Sequence, residues 1–160
     1  MTPAKIPGAL RRLVRVRAQS RCEYCQTSEW LSGLPCEIDH IIPRAKGGPT
    51  TADNLCLACA FCNGYKRAST HAADPESGEE VTLFNPRRQR WQEHFAWSED
   101  GTAIIGLTAC GRTTVVTLKL NHPLAASARS IWVSVGPAIP VSVVSVHSRH
   151  GGKRCTAGPK

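Results

Sequence analysis

The chain has 160 residues, which favours one domain with an extension, and 41% of them are apolar, which is enough to form a core. Lysine and arginine outnumber the acidic residues by 20 to 12, and the net charge of +8 favours a polyanionic partner such as nucleic acid. Arginines interrupt every N-terminal apolar run and exclude a signal-peptide core, while the uncharged stretch 130–148 has too much glycine, proline and serine for a membrane span. We therefore expect a cytoplasmic protein, in which thiols stay reduced.

The predicted elements begin with an amphipathic helix over residues 8–21, where apolar residues recur at helical spacing between arginines. The β-branched run EIDHIIP predicts a strand over residues 37–42. Prolines and glycines in residues 43–54 predict an extended loop. Residues 55–58 predict a short return strand, and a helix is expected to open near Asn63. Together these elements predict a compact strand–loop–strand–helix unit.

The second half of the chain predicts a hairpin and two helices. Glu99-Asp-Gly101 is typical of a hairpin turn, Thr108 of a helix cap, and Asn121 followed by Pro123 of the start of a last helix. That last helix carries an apolar stripe, which consists of Leu124, Ala128, Ile131, Trp132 and Val135. The whole chain is thus predicted to divide into a domain at 8–70, a polar mobile linker at 71–80, an extension at 81–136 packed on or beside the domain, and a disordered tail at 137–160.

Four of the eight cysteines form two Cys-x-x-Cys pairs, Cys22/Cys25 and Cys59/Cys62. Two such pairs supply a closed tetrahedral set of four sulfurs, which is the pattern of a structural zinc site. Disulfides in an exported protein and a metal-free redox pair are the alternatives. Among the remaining cysteines, Cys56 lies close enough in sequence to compete as a ligand, while burial as a small apolar residue is expected for Cys36, Cys56 and Cys110.

Five polar residues lie between and beside the cysteine pairs: Asp39, His40, Asn54, Asn63 and Lys66. Each has an ordinary explanation alone, such as a core histidine, a turn or a helix cap. Together, in a basic chain, they match what phosphodiester hydrolysis requires. A neutral His40 suits the base that activates water, and oxygen ligands from Asp39 and Asn63 suit one Mg²⁺ or Mn²⁺ ion. Asn54 is positioned to hold His40 by hydrogen bonds across the loop.

The motifs CEYC, IDHIIPRAKGGPTTADNLCLAC and FCNGYK occur in an order and spacing that resemble the HNH endonucleases, in the branch stapled by zinc through two Cys-x-x-Cys pairs. The resemblance spans about residues 10–70. It implies an α+β fold, in which a ββα-metal (His-Me) finger is stapled by a structural zinc and carries an N-terminal helix and a C-terminal hairpin-plus-helices extension. Residues 83–135 also resemble the C-terminal part of small stand-alone bacterial HNH proteins.

The resemblance implies a role for each polar residue. His40 matches the general base, Asp39 a metal ligand and Asn54 the residue that organises the loop. The third motif position, frequently histidine, is Asn63, so the chain resembles an HNN variant in which Asn63 is the other ligand of the ion. Lys66 is expected to contact a phosphate oxygen or to assist the leaving group. DNA is the expected substrate, with RNA left open, and the expected nucleic-acid contacts are Arg44, Lys46, Lys66 and Arg67.

Two other functions remain open from the residues alone. One is a zinc-stapled nucleic-acid-binding module without catalysis, which would use the N-terminal helix, Arg44, Lys46 and residues 87–90 as phosphate contacts. The other is a redox or scaffold protein that uses zinc only for stability, which leaves the basic charge unexplained.

The nuclease hypothesis also makes a geometric prediction. Neighbouring residues of a regular strand point to opposite faces, so Asp39 and His40 share a site only where the strand ends or distorts. We therefore expect a distortion near residues 39–41.

Overall fold

The structure is a computed structural model, and it describes residues 5–135. Short helices and three two-stranded antiparallel sheets make up a mixed fold, which agrees with the predicted α+β class. In chain order the elements are α1 (Gly8–Arg17), α2 (Glu29–Ser32), β1 (Glu37–His40), β2 (Leu55–Ala58), α3 (Ala60–Lys66), β3 (His71–Ala73), β4 (Glu80–Thr82), α4 (Trp91–His94), β5 (Phe95–Trp97), β6 (Ile104–Gly106), α5 (Ala109–Thr117) and α6 (Pro123–Ser134).

Helix α1 is amphipathic as expected but ends four residues earlier than the predicted Arg21. The helix stops because Gln19 and Ser20 both adopt positive φ angles, 52° and 53°, which turn the chain toward the first cysteine pair. Val14 is fully buried against the domain, whereas the exposed face carries arginines.

Strands β1 and β2 form the hairpin of the predicted ββα unit, and all four residues of β2 are buried. The register pairs Asp39 with Cys56 and His40 with Leu55. The Ile41 amide then donates to the Asn54 carbonyl at 2.9 Å, which continues the same register. The predicted distortion near residues 39–41 is therefore wrong. The alternation stays regular, and the two side chains find partners on different elements: His40 on Thr50 of the connecting loop, and Asp39 on Lys66 of α3.

Residues 71–80, expected to form a linker, contain most of a hairpin, in which β3 pairs with β4. Gly78, with a φ of 75°, lies in the connection. Asp74 in this connection is 1% exposed, and its two carboxylate oxygens accept hydrogen bonds from Arg112 of α5 at 3.0 and 2.7 Å. The polar composition concealed this hairpin because its anchor is an ion pair with a residue far along the chain.

The C-terminal elements partly follow the prediction. β5 pairs with β6, and the Thr108 hydroxyl accepts a hydrogen bond from the Gly111 amide at the start of α5. Asn121 does not cap α6; the His122 ring does, by accepting from the Leu124 amide. The Asn121 side chain instead bonds to both the amide and the carbonyl of Ile104, 2.8 Å from each.

The buried side chain of α6 is a charged one. Arg129 is 1% exposed, whereas Leu124, Ile131 and Val135 of the apolar stripe are 64%, 62% and 72% exposed. The Arg129 guanidinium donates to the Leu120 carbonyl at 2.7 Å and lies over the Trp97 ring. Helix α6 is thus held by hydrogen bonds from an arginine rather than by its stripe.

The C-terminal elements pack on the cysteine-containing half of the chain. The Trp91 indole donates to the Tyr24 carbonyl at 2.8 Å, and Arg87 forms a salt bridge with Glu23. Tyr24, Phe84 and Phe95 belong to one continuous core cluster. Among residues 5–135, none of the helices has the length and apolar content that crossing a membrane requires. The predicted tail, 137–160, lies outside the described residues.

Candidate metal centre and active site

The two Cys-x-x-Cys pairs meet at one point between α1 and α3. Cys22 and Cys25 lie in the turn after α1, while Cys59 caps the N-terminus of α3 and Cys62 lies in its first turn. Their four sulfurs all lie within 4.8 Å of one another, and the Cys25 and Cys59 sulfurs are 3.7 Å apart. A tetrahedral zinc with bonds of about 2.3 Å separates its sulfurs by about 3.8 Å. The four residues therefore fit a closed structural zinc site.

Disulfide bonding is absent from this cluster and from the other cysteines within residues 5–135. A sulfur separation of 3.7 Å is far longer than a disulfide bond of about 2.05 Å. Cys56 is not part of the cluster, because its thiol lies 3.6 Å from the Tyr24 hydroxyl instead. Burial raises the pKa of Cys56 to about 12, so this thiol stays protonated. Cys36 is also buried, and burial raises its pKa to about 12.

Asn54 is 6% exposed and holds the loop between β1 and β2. Its side-chain oxygen accepts from the Ile42 amide at 2.8 Å, and its side-chain nitrogen donates to the carbonyls of Ile42 and Pro49, both at 2.9 Å. Gly48 passes so close that a Cβ atom there would lie 1.8 Å from the Ile42 carbonyl oxygen. The Asn54 side chain therefore joins the two ends of the loop by hydrogen bonds.

This loop reaches the histidine of the predicted site. Thr50 lies within the loop that Asn54 holds, and its hydroxyl is 2.9 Å from His40 Nε2. Burial lowers the pKa of His40, Arg44 and Lys66 lower it further, and the Asp39 charge opposes them. The imidazole is consequently neutral near pH 7, which is the form that accepts a proton.

Asp39 and Lys66 form a buried ion pair between β1 and α3. The Lys66 ammonium lies 2.9 Å from Asp39 Oδ2, and it donates to the His40 carbonyl, also at 2.9 Å. The Lys66 side chain is only 2% exposed, so little of it is accessible to a phosphate in this structure. Lys66 connects α3 to the end of β1 through these two contacts. The sequence motif shows that a lysine is present but not that its charge is buried.

Asn63 projects from α3 toward β1, where its side-chain amide nitrogen donates to Glu37 Oε2. The sequence motifs do not single out Glu37. The available signal was its position two residues before Asp39, which places both carboxylates on the same face of a regular strand. Glu37, Asp39 and Asn63 thus line the side of the hairpin that meets α3.

The oxygen ligands of this site suit a hard divalent cation. Asp39 Oδ2 is buried and accepts no hydrogen bond in the described part of the chain, since the Lys66 contact is an ion pair without hydrogen-bond alignment. A carboxylate oxygen has two lone pairs, so Oδ2 can coordinate a hard cation while it remains paired with the Lys66 ammonium. One carboxylate and one amide oxygen are a fitting set for Mg²⁺ or Mn²⁺, which keep much of their coordination sphere for water and phosphate.

Several arginines named as possible phosphate contacts are used inside the protein. Arg17 donates to the carbonyls of Ala52 and Leu55 at 3.1 and 2.7 Å, which secures the C-terminal end of the same loop. Arg15 pairs with Glu29, and Arg87 pairs with Glu23. The N-terminal helix and residue 87 therefore contribute to the architecture.

Around the site, three basic residues do lie at the surface. Arg44 and Lys46 occupy a short 3₁₀ turn just after β1, and Arg67 follows α3. All three are exposed, and the Lys46 ammonium also lies 3.4 Å from the Thr70 hydroxyl. This places positive charge on the rim of the site.

The hairpin, loop and helix beside the four-cysteine cluster correspond to a known family. Residues 22–69 match the family model described as HNH endonuclease, and this segment is an HNH domain, as the sequence motifs predicted. A search of curated proteins found no match. The match covers the four cysteines and the five polar residues, while α1 and the elements from β3 onward lie outside it. The domain suggests nuclease activity and implies a nucleic-acid substrate.

Proposed function

We propose that the protein is a metal-dependent endonuclease that hydrolyses phosphodiester bonds in DNA. The observation that carries this proposal is how two adjacent residues at the end of β1, His40 and Asp39, are each held by their surroundings. The loop held by Asn54 supplies a hydrogen-bond partner, Thr50, to the imidazole of His40. The neighbouring Asp39 carboxylate has a buried oxygen that accepts no hydrogen bond within residues 5–135. The Lys66 ammonium pairs with this carboxylate, and a divalent cation at its remaining lone pairs would use the carboxylate for catalysis, which a nucleic-acid-binding module does not require.

In the proposed reaction, His40 is the general base. When its Nε2 proton is donated to the Thr50 hydroxyl, Nδ1 carries the lone pair that removes a proton from the attacking water. Asp39 and the side-chain oxygen of Asn63 would hold one Mg²⁺ or Mn²⁺ ion, which supplies charge stabilisation at the phosphoryl and leaving oxygens. Asn54 keeps Thr50, and through it the imidazole, in the productive orientation.

The substrate is held at the rim. Exposed Arg44, Lys46 and Arg67 contact backbone phosphates, which attracts nucleic acid of any sequence. Lys66 has a different role, since its ammonium fixes the Asp39 carboxylate and the end of β1 from inside the protein.

Supercoiled plasmid tests this proposal directly. The zinc-loaded protein is incubated with plasmid in Mg²⁺, in Mn²⁺ and in EDTA, and nicked and linear products are quantified. We expect cleavage in a divalent cation, none in EDTA, and a loss of at least about a hundredfold in His40→Ala, as is typical for a general base. His71→Ala is the matched control, because His71 is an exposed histidine outside the loop. RNA of matched sequence, as duplex and single strand, compares the two substrates.

Two outcomes would overturn the assignment. Binding to plasmid without cleavage in any divalent cation would favour the non-catalytic module. Cleavage by His40→Ala at the wild-type rate would place the activity elsewhere.

A further inference from the structure

The HNH roles assigned above leave Glu37 without a function, although its carboxylate contacts a proposed metal ligand. Glu37 is the first residue of β1, it is exposed, and its Oε2 accepts a hydrogen bond from the amide nitrogen of Asn63. We propose that Glu37 is a positioning residue that orients the Asn63 amide so that its oxygen, Oδ1, faces the cation. This inference rests on the proposed function of Asn63 as a ligand.

The chemistry of the two groups fixes the orientation. An ionised carboxylate only accepts hydrogen bonds, so it engages the NH₂ end of the amide and excludes the oxygen end. With Nδ2 held by Glu37, Oδ1 points away from the carboxylate. A half-turn of the amide would present NH₂ hydrogens to the ion, and hard divalent cations bind oxygen rather than an amide NH₂ group.

The arrangement is the asparagine counterpart of a device used around metal-bound histidine. There, a carboxylate accepts the second ring N–H and so fixes which nitrogen faces the metal. A histidine at position 63 would need its ring oriented toward the metal. For an asparagine, the oxygen and the NH₂ group of the amide are similar in size but opposite in polarity, so one of the two must be directed toward the ion. Glu37, on the facing strand β1, directs the oxygen toward the ion by accepting a hydrogen bond from the NH₂ group.

Glu37 is placed to do this without serving the core. It is exposed, it occupies the outer end of β1 opposite Ala58, and its side chain shares the strand face of Asp39. Replacing it therefore leaves the buried residues of the hairpin in place, and a change in metal affinity is separable from unfolding.

The test measures Mn²⁺ binding to the zinc-loaded full chain by the electron paramagnetic resonance signal of free Mn²⁺, without substrate. Removing an outer-shell partner weakens metal binding by roughly 10- to 100-fold. We expect Glu37→Ala to raise the Kd for Mn²⁺ by about tenfold. Glu37→Gln should lie between wild type and Glu37→Ala, because a glutamine oxygen still accepts from Nδ2. Glu80→Gln is the control, since Glu80 is an exposed carboxylate at the start of β4.

A double-mutant cycle separates orientation from direct coordination. If Glu37 acts through Asn63, adding Glu37→Ala to Asn63→Ala leaves the Kd of Asn63→Ala unchanged. If the two losses multiply instead, Glu37 is itself a ligand and the inference is overturned. Equal losses in Glu37→Gln and Glu37→Ala would also overturn it, because charge alone would then explain the effect.

The remaining outcomes distinguish this inference from the proposed function. A wild-type Kd in Glu37→Ala, with weaker binding in Asn63→Ala, overturns the inference and leaves the ligand assignment standing. A wild-type Kd in Asn63→Ala, or no binding by the wild-type chain, overturns both. The expected order of Kd values in a protein that does not cut plasmid supports the inference and overturns only the nuclease proposal.

Discussion

Replacement of Asn54 by alanine should both destabilise the domain and disorganise the site. The side chain is 6% exposed and makes three hydrogen bonds, two to the backbone of Ile42 and one to that of Pro49. At about 1 kcal/mol net for each bond, the loss approaches 3 kcal/mol, and water reaching the exposed loop reduces it to about 2–3 kcal/mol. For a chain of this size, that corresponds to a fall in Tm of roughly 4–12 °C.

The assay is thermal unfolding followed by circular dichroism at a fixed excess of Zn²⁺, so that metal loading is equal in all variants. Asn54→Asp is the matched variant, because it keeps the shape and the acceptor but has no NH₂ group to donate. Its carboxylate would face the carbonyls of Ile42 and Pro49, so we expect a loss at least as large as that of Asn54→Ala.

Activity should fall further than stability accounts for. Asn54 holds the segment that carries Thr50, and the hydroxyl of Thr50 lies 2.9 Å from the His40 ring. At a temperature where Asn54→Ala is fully folded, we expect its plasmid cleavage to be reduced by at least about tenfold, since small displacements of a catalytic group are costly. A Tm within 2 °C of wild type would refute the hydrogen-bond argument, and wild-type cleavage by the folded variant would refute the positioning argument.

Further substitutions test the cysteine cluster, the close approach at Gly48 and the ion pair of Asp74. Cys62→Ser should lose the bound zinc and unfold at a much lower temperature, whereas Cys56→Ser, an equally buried change outside the cluster, should retain one zinc per chain by atomic absorption. Gly48→Ala should destabilise the loop, because its Cβ would meet a backbone oxygen at 1.8 Å, whereas Gly64→Ala in α3 has open space and should raise the Tm slightly. The pKa of Asp74 is lowered to about 2, first by its hydrogen bonds with arginine, so its stabilisation is present above about pH 4 and is lost as the pH falls toward 2. The difference in Tm between wild type and Asp74→Asn should therefore shrink over that range, and a difference that stays constant would contradict the assignment.

The parts that could be predicted from sequence depend on short-range spacing. Two residues between paired cysteines set the geometry of each knuckle, and the run of residues 55–58 was predicted with the observed bounds of β2. The cap at Thr108 and the hairpin with Gly101 also followed from local chemistry. In each case the residues that determine the structure are neighbours in the chain, so a pattern contains the needed information.

The errors occurred where a polar side chain finds its partner far away. Asp74 and Arg112 are 38 residues apart, and their pairing turns an apparent linker into a hairpin. Arg129 is buried in α6, where it donates to the carbonyl of Thr102, 27 residues away, as well as to that of Leu120, and no apolar periodicity predicts these bonds. Their charge favours exposure of both side chains, but hydrogen bonds to residues distant in the chain hold them buried.

The sequence by itself selected the residues to which the proposed chemistry is assigned: the two cysteine pairs, the Asp39-His40 pair and the asparagines that follow. The tertiary structure alone decided how they face one another. It buried Lys66 against Asp39, left the strand regular where a distortion was expected, and brought Glu37 to the amide of Asn63, 26 residues away. The physical reason is that residue type sets which bonds a group can form, whereas the packing of α3 on the hairpin selects which of them it makes.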